Sequence, residues 1–146
     1  MAAGDGQTVS DLEAAFDNYW RILDGPDLEP EFRFDPARRS RFDRAHRLSR
    51  TAIEIDGGTW GKRNKDGELV PGRHVRGTGY TDDCEKLNRA TAQGWAVFRL
   101  TSDMLRDAPA QHLTPIIATI ERRLNDSALV ASIFEDTGRI RAMLND

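Results

Sequence analysis

The sequence predicts a mixed α/β (α+β) domain built on a small sheet flanked by helices, and three observations carry that expectation. Two short β-like runs, 40–46 and 51–56, are separated only by Arg47-Leu48-Ser49-Arg50. A third run, "WAVFRL" at 95–100, follows a stretch with helical spacing. Apolar residues before and after these runs recur at three- and four-residue intervals, the period of amphipathic helices. The 146 residues show no tandem repeat, so a single domain is expected over 1–146. Three Trp and six Phe supply material for a core. One Cys leaves no internal disulfide framework or Cys-rich zinc cluster and suits a reducing compartment. With no membrane-length apolar run and no signal peptide, the expectation is a soluble, cytoplasmic protein.

The elements follow in order. Residues 1–8 are expected to be flexible, 9–107 to form the core, and 108–146 to form a C-terminal helical extension. Ser10 with Glu13 reads as a capping box, followed by Leu12, Ala15, Phe16, Tyr19, Ile22 and Leu23 at helical spacing. Gly25-Pro26 stops that helix, and 24–31 reads as an acidic loop. The hairpin strands come next. Seven of the twelve glycines fall between Gly57 and Gly79, a long loop with a short strand near Leu69-Val70. Thr81 caps a helix to about Gln93 with Tyr80, Cys84, Leu87 and Thr91 on one face, and Gly94 ends it. Ser102 opens a short helical turn. Thr114-Pro115 reads as an N-cap followed by Pro at the first helical position, starting a helix to about Leu124. The tail from Ser127 reads as helical.

Charge is segregated although the net is only -3. Eight acids and one base precede residue 32. Seven arginines against two aspartates follow between Phe32 and Arg50, and Lys62, Arg63, Lys65, Arg73 and Arg76 lie in the glycine-rich stretch. A concentrated Arg segment in an acidic chain points to a local anion-binding face, with a solvated charged surface as the plain alternative.

The hairpin raises a sharper question, because "RTAIEIDGG" places Glu54 and Asp56 in an apolar strand. Side chains alternate along a strand, so Ala52, Glu54 and Asp56 share a face. Pairing around the four-residue loop sets 46 against 51. It then sets Asp43 against Glu54, with Cβ atoms ~5 Å apart. Phe42 would meet Ile55, and Arg41 would meet Asp56 as an ion pair at the strand end. Opposed carboxylates repel unless a proton or cation lies between them, and a hard divalent cation such as Mg²⁺ or Mn²⁺ suits oxygen donors. An exposed, solvated strand pair is the plain alternative.

"RFDRAHRLSRTAIEIDGGTW" and "GRHVRGTGYTDDCEKLNRATAQGWAVFRLT" resemble the PD-(D/E)xK nuclease superfamily. The likeness covers about residues 32–107 and is nearest the very-short-patch repair endonuclease-like branch of small phage and bacterial proteins. It implies a restriction-endonuclease-like αβββαβ core and a magnesium-dependent endonuclease acting on DNA. It makes Asp43 and Glu54 the metal-binding acids and the Ile55 carbonyl a third ligand. The helix over 82–95 then corresponds to the family's orthogonal helix, with Asp83, Lys86 and Asn88 as its polar candidates, and Asp35 is a decoy. The superfamily usually carries Lys two positions after the second acid, where this chain has Asp56. His74 or Lys86 would then supply the positive group, or Asp56 would serve as an extra metal or water ligand.

Hydrolysing a phosphodiester needs an activated water and stabilised charge on phosphate oxygens, which a bound Mg²⁺ supplies. Arg41, Lys62, Arg63, Arg73 and Arg76 would hold the phosphate backbone, and Trp60 would stack on a base or wedge into a duplex. Each has a structural alternative: a bystander loop His for His74, a helix ion pair with Asp83 for Lys86, sheet packing for Trp60, and a cap for Glu13, which otherwise adds to the site from the first helix. Cutting both strands would suit a homodimer, though none of these motifs marks an interface. The alternatives to an active enzyme are a catalytically inactive nuclease-fold module that still binds nucleic acid, and a protein-binding regulator using the acidic first helix.

Overall fold

The computed structural model describes residues 9–56, 60–63, 65–71 and 77–145. Its elements run α1 (Val9–Ile22), β1 (Glu29–Phe32), β2 (Phe42–His46), β3 (Thr51–Ile55), β4 (Trp60–Arg63), β5 (Leu69–Pro71), α2 (Gly77–Ala92), β6 (Ala96–Leu100), α3 (Ser102–Asp107), α4 (Pro109–Asn125) and α5 (Ser127–Leu144). The main sheet is mixed, in the order β1-β2-β3-β6. β1, β2 and β3 run antiparallel in succession, and β6 lies parallel to β3. β4 and β5 form a separate antiparallel pair.

The β2–β3 register is the one expected from the turn length: His46 pairs with Thr51, Ala45 with Ala52 and Arg44 with Ile53. β3 is central, and Thr51, Ala52, Ile53 and Ile55 are all buried. Both faces of the sheet are therefore covered. On one face α1, α3 and α4 bring Leu12, Phe16, Trp20, Leu105, Leu113, Ile116 and Ile120 against Ile53, Ile55 and Leu100. On the other, Ala90 of α2 closes over Ala45 and Ala52, beside Phe34, Phe42 and Trp95. The alanines at these crossing points let the helix approach the sheet closely.

Several expectations are corrected. The acidic loop at 24–31 contains β1, an edge strand whose residues are largely exposed and so lack an alternating pattern. Phe42 does not meet Ile55. Its ring stacks 4.2 Å from that of Phe34 and lies 5.1 Å from Trp95, while Ile55 belongs to the opposite face. Thr81 lies inside α2, which begins at Gly77. Of the face expected on α2, Cys84 and Leu87 are half-buried, beside Asp83, Lys86 and the buried Ala90, while Tyr80 and Thr91 are exposed. Pro115 lies inside α4, which begins at Pro109. Ser10 lies within α1 rather than capping it. Ser102 does open α3, with Thr101 before it as the cap, its side chain accepting from the Met104 amide. The short strand expected near Leu69-Val70 is present as β5, and the glycine-rich stretch also holds its partner β4.

Candidate functional site

The site forms where the β2–β3 ladder ends. Beyond the Arg44–Ile53 pair, the Asp43 carboxylate turns onto the neighbouring strand and accepts the Ile55 amide at 2.7 Å. This bond fixes one oxygen of Asp43 by backbone geometry. Glu54, on the α2 side, lies close enough to Asp43 for their carboxyls to share a hydrogen bond. Lys86 reaches down from α2 and places its ammonium on the Glu54 carboxylate and on the Arg41 carbonyl, over the Phe42 ring. Burial pushes the Glu54 carboxyl up to about 7. The Lys86 ammonium pulls the other way, and the Asp43 carboxylate adds to the rise.

Two further acids reach Asp43. Glu13 of α1 and Glu31 of β1 bring carboxylate oxygens that, with one of Asp43, all lie within 4.8 Å of one another. Glu31 stands across from Asp43, between the Pro30–Arg44 and Phe32–Phe42 pairs. It adopts a left-handed backbone (φ 49°), a conformation a non-glycine residue holds at a cost of about 1–2 kcal/mol. Arg44 braces this side, with two bonds to Asp17 (3.0 and 2.8 Å), one to Glu13 (3.3 Å) and one to the Asp43 carbonyl (2.7 Å). Those carboxylates hold the guanidinium firmly protonated, Asp17 most strongly.

An all-oxygen donor set suits a hard divalent cation. Opposite oxygens around Mg²⁺ stand about 4 Å apart, twice a metal–oxygen bond of roughly 2 Å. Adjacent oxygens stand closer, about 3 Å apart, so three carboxylates on one ion would draw inward from their separations of up to 4.8 Å. The residues present fit such an ion.

The remaining candidates divide. Asp56 is engaged by Arg99 of β6 (2.7 Å), not by Arg41, and lies apart from the Glu13–Glu31–Asp43 cluster. Asp83 stands 3.9 Å from the same arginine, so the expected Asp83–Lys86 helix pair gives way to Lys86–Glu54. Asp35, the decoy of the family resemblance, is buried against Arg89, whose guanidinium holds its carboxyl below the usual range. Arg41 is exposed at the start of β2. Trp60, Lys62 and Arg63 lie on β4, where the backbone alone is described. His74, Arg73 and Arg76 lie outside the described residues.

Glu13 and Glu31 are the residues whose place sequence reasoning undervalued. Glu13 had a sufficient local explanation as a cap, and Glu31 sat in a stretch with no strand signal. Recognising β1 would have exposed Glu31, because the β1–β2 register sets it across from Asp43. Among the described residues no helix is long and apolar enough to cross a membrane.

The geometry defines a class no finer than a mixed α+β protein with a partly buried carboxylate–lysine centre at one end of its sheet. Comparisons with protein-family models, curated proteins and solved structures found no match.

Proposed function

We propose that the chain is a metal-dependent endonuclease acting on DNA, with Glu13, Glu31, Asp43 and Glu54 around one Mg²⁺ or Mn²⁺ site and Lys86 beside it. The single observation that carries this reading is the convergence of Asp43, Glu54 and Lys86 from three elements onto one point. A lysine from α2 stands at the second acid, compensating for the missing lysine at position 56. The run α1, antiparallel β1–β2–β3, α2 and parallel β6 also accords with the αβββαβ core that the sequence resemblance implies.

A divalent ion held there would supply Lewis acidity and a bound water of lowered pKa. The chain's own residues have separable tasks. The Ile55 amide and Arg44 hold Asp43 and Glu13 in place. Lys86 stabilises negative charge at the centre and holds Glu54. Exposed Arg41, whose carbonyl already binds Lys86, is placed to meet the phosphate backbone.

The test is a cleavage panel of linear, nicked, mismatched and branched DNA in Mg²⁺, Mn²⁺ or EDTA. Glu54→Ala should abolish cleavage, and Lys86→Ala should lower the rate by about 10²-fold or more, with the fold retained. Unchanged turnover in Glu54→Ala would remove the site assignment. One observation favours a second reading, a nucleic-acid-binding module without turnover: Asp56, at the usual lysine position, is locked to Arg99. DNA bound by the wild type but uncut across the whole panel would select it.

A further inference from the structure

Helix α5 stands apart from both core clusters. From Phe134 to Asn145 every residue is exposed. Phe134 (72 %), Ile140 (60 %), Met143 (79 %) and Leu144 (81 %) present large apolar side chains there. A single helix of this length is marginal in water without packing, and a cluster of exposed apolar residues marks a contact surface.

The spacing of the helix says what kind of surface. In sequence, Val130, Ile133, Thr137, Ile140 and Leu144 recur at alternating intervals of three and four, the seam of a coiled coil. Thr137 donates its hydroxyl to the Ile133 carbonyl at 2.8 Å, leaving its methyl as the apolar part.

Flanking charges choose the occupant. With Ile133 and Ile140 at the second seam position of each heptad, Asp136 and Arg141 fall on opposite flanks. In a parallel pair each flank meets the other flank of the partner about five residues on. Asp136 of one copy therefore meets Arg141 of the second, and symmetry repeats the pair. An antiparallel pair would set Asp136 beside Met143. The pair of Asp136 with Arg139 on its own helix is long (4.0 Å) and solvent-exposed, so it competes weakly. Glu135 and Asp136 balance Arg139 and Arg141 over the exposed stretch, so two copies meet without net repulsion. A membrane surface would call for a Lys/Arg-rich polar face, and this stretch lacks one.

We propose that α5 is a self-association helix: two copies of this chain pair in parallel through Ile133, Thr137, Ile140 and Leu144, with Asp136 and Arg141 bonded across the seam. The inference does not depend on the nuclease reading.

Sedimentation equilibrium of the full chain tests it. At tens of micromolar the wild type should weigh about twice 16.4 kDa and dissociate on dilution. Ile140→Glu should return the mass to 16.4 kDa with the unfolding transition of the body unchanged. Asp136→Arg should raise the dissociation constant at least about tenfold, and adding Arg141→Asp should restore it. A monomeric wild type at 200 µM (about ten times the expected working range) would overturn the proposal. So would a dimer indifferent to Ile140→Glu, or a charge swap that fails to recover association.

Discussion

Glu54 carries two opposing demands. Its burial disfavours charge, and the ammonium of Lys86 favours it; burial prevails and lifts the carboxyl from an ordinary 4.5 to about 7. The folded chain then holds this proton more tightly than the unfolded chain does. The resulting stability is full below about pH 4.5 and is lost as pH rises to about 7, by at most about 3–4 kcal/mol at roughly 1.4 kcal/mol per unit. Glu54→Gln should flatten that slope, measured as urea-unfolding free energy at intervals across this range. A slope equal to wild type would mean that Lys86 keeps Glu54 ionised throughout. The nearness of Asp43 to Glu54 was legible in the sequence because a four-residue turn fixes the register, though the ladder itself stops at Arg44–Ile53. The reach of Lys86 was legible only as a lysine on a helix with a choice of partners. Nothing local could show that Glu54, thirty-two residues away, outcompetes Asp83 three residues away.

Helix α1 shows how an element's end can be located correctly for an incomplete reason. Gly25-Pro26 signals a stop, yet the left-handed residue is Asp24 (φ 56°). The Asp24 amide bonds the Arg21 carbonyl (3.1 Å) and the Gly25 amide bonds the Trp20 carbonyl (2.9 Å), a Schellman closure. Gly25 is required for another reason: a Cβ there would collide with Cε2 and Nε1 of Trp20, whose indole N–H donates to the Pro26 carbonyl at 2.7 Å. Gly25→Ala should therefore destabilise by about 1–3 kcal/mol through overpacking, while Asp24→Gly should stabilise by about 1 kcal/mol by relieving the backbone. Thermal unfolding of the two variants should move in opposite directions. Helix α4 misled in a different way. Pro109 and Pro115 offer the same first-position signal, and the earlier one starts the helix, because Leu113, Ile116 and Ile120 share one buried stripe across Pro115. β1 gave no signal, since "EPEF" has neither alternation nor a run of strand formers.

At the scale of the molecule, the sheet with helices on both faces was legible from element order and spacing, but the closing contacts were not. Arg123 of α4 is the clearest case. Its NH1 group donates to the carbonyls of Ser49 (3.1 Å), Arg50 (3.0 Å) and Gly94 (2.9 Å). One side chain thus ties the β2–β3 turn and the α2–β6 turn to helix α4. Arg50 reinforces the link by donating to the Gln93 carbonyl at 2.9 Å. Arg123→Met keeps the stem and removes the donors, so it should cost about 2–3 kcal/mol in unfolding free energy, with hydrogen exchange accelerated at both turns. A change confined to α4 would show that the turns hold themselves.

The strained acid of β1 has a second consequence. A sheet's outer strand offers unpaired amides and carbonyls to any other chain, and β1 is such a strand. Pro30 removes one donor from that edge, Glu29 and Glu31 line it with charge, and the left-handed turn at Glu31 breaks its flatness. The carboxylate that β1 sends toward Asp43 thus comes with an edge poorly suited to intermolecular β-pairing. On this reading Glu31→Val would remove a candidate ligand and, at the same position, leave a template on which strands from other molecules could stack.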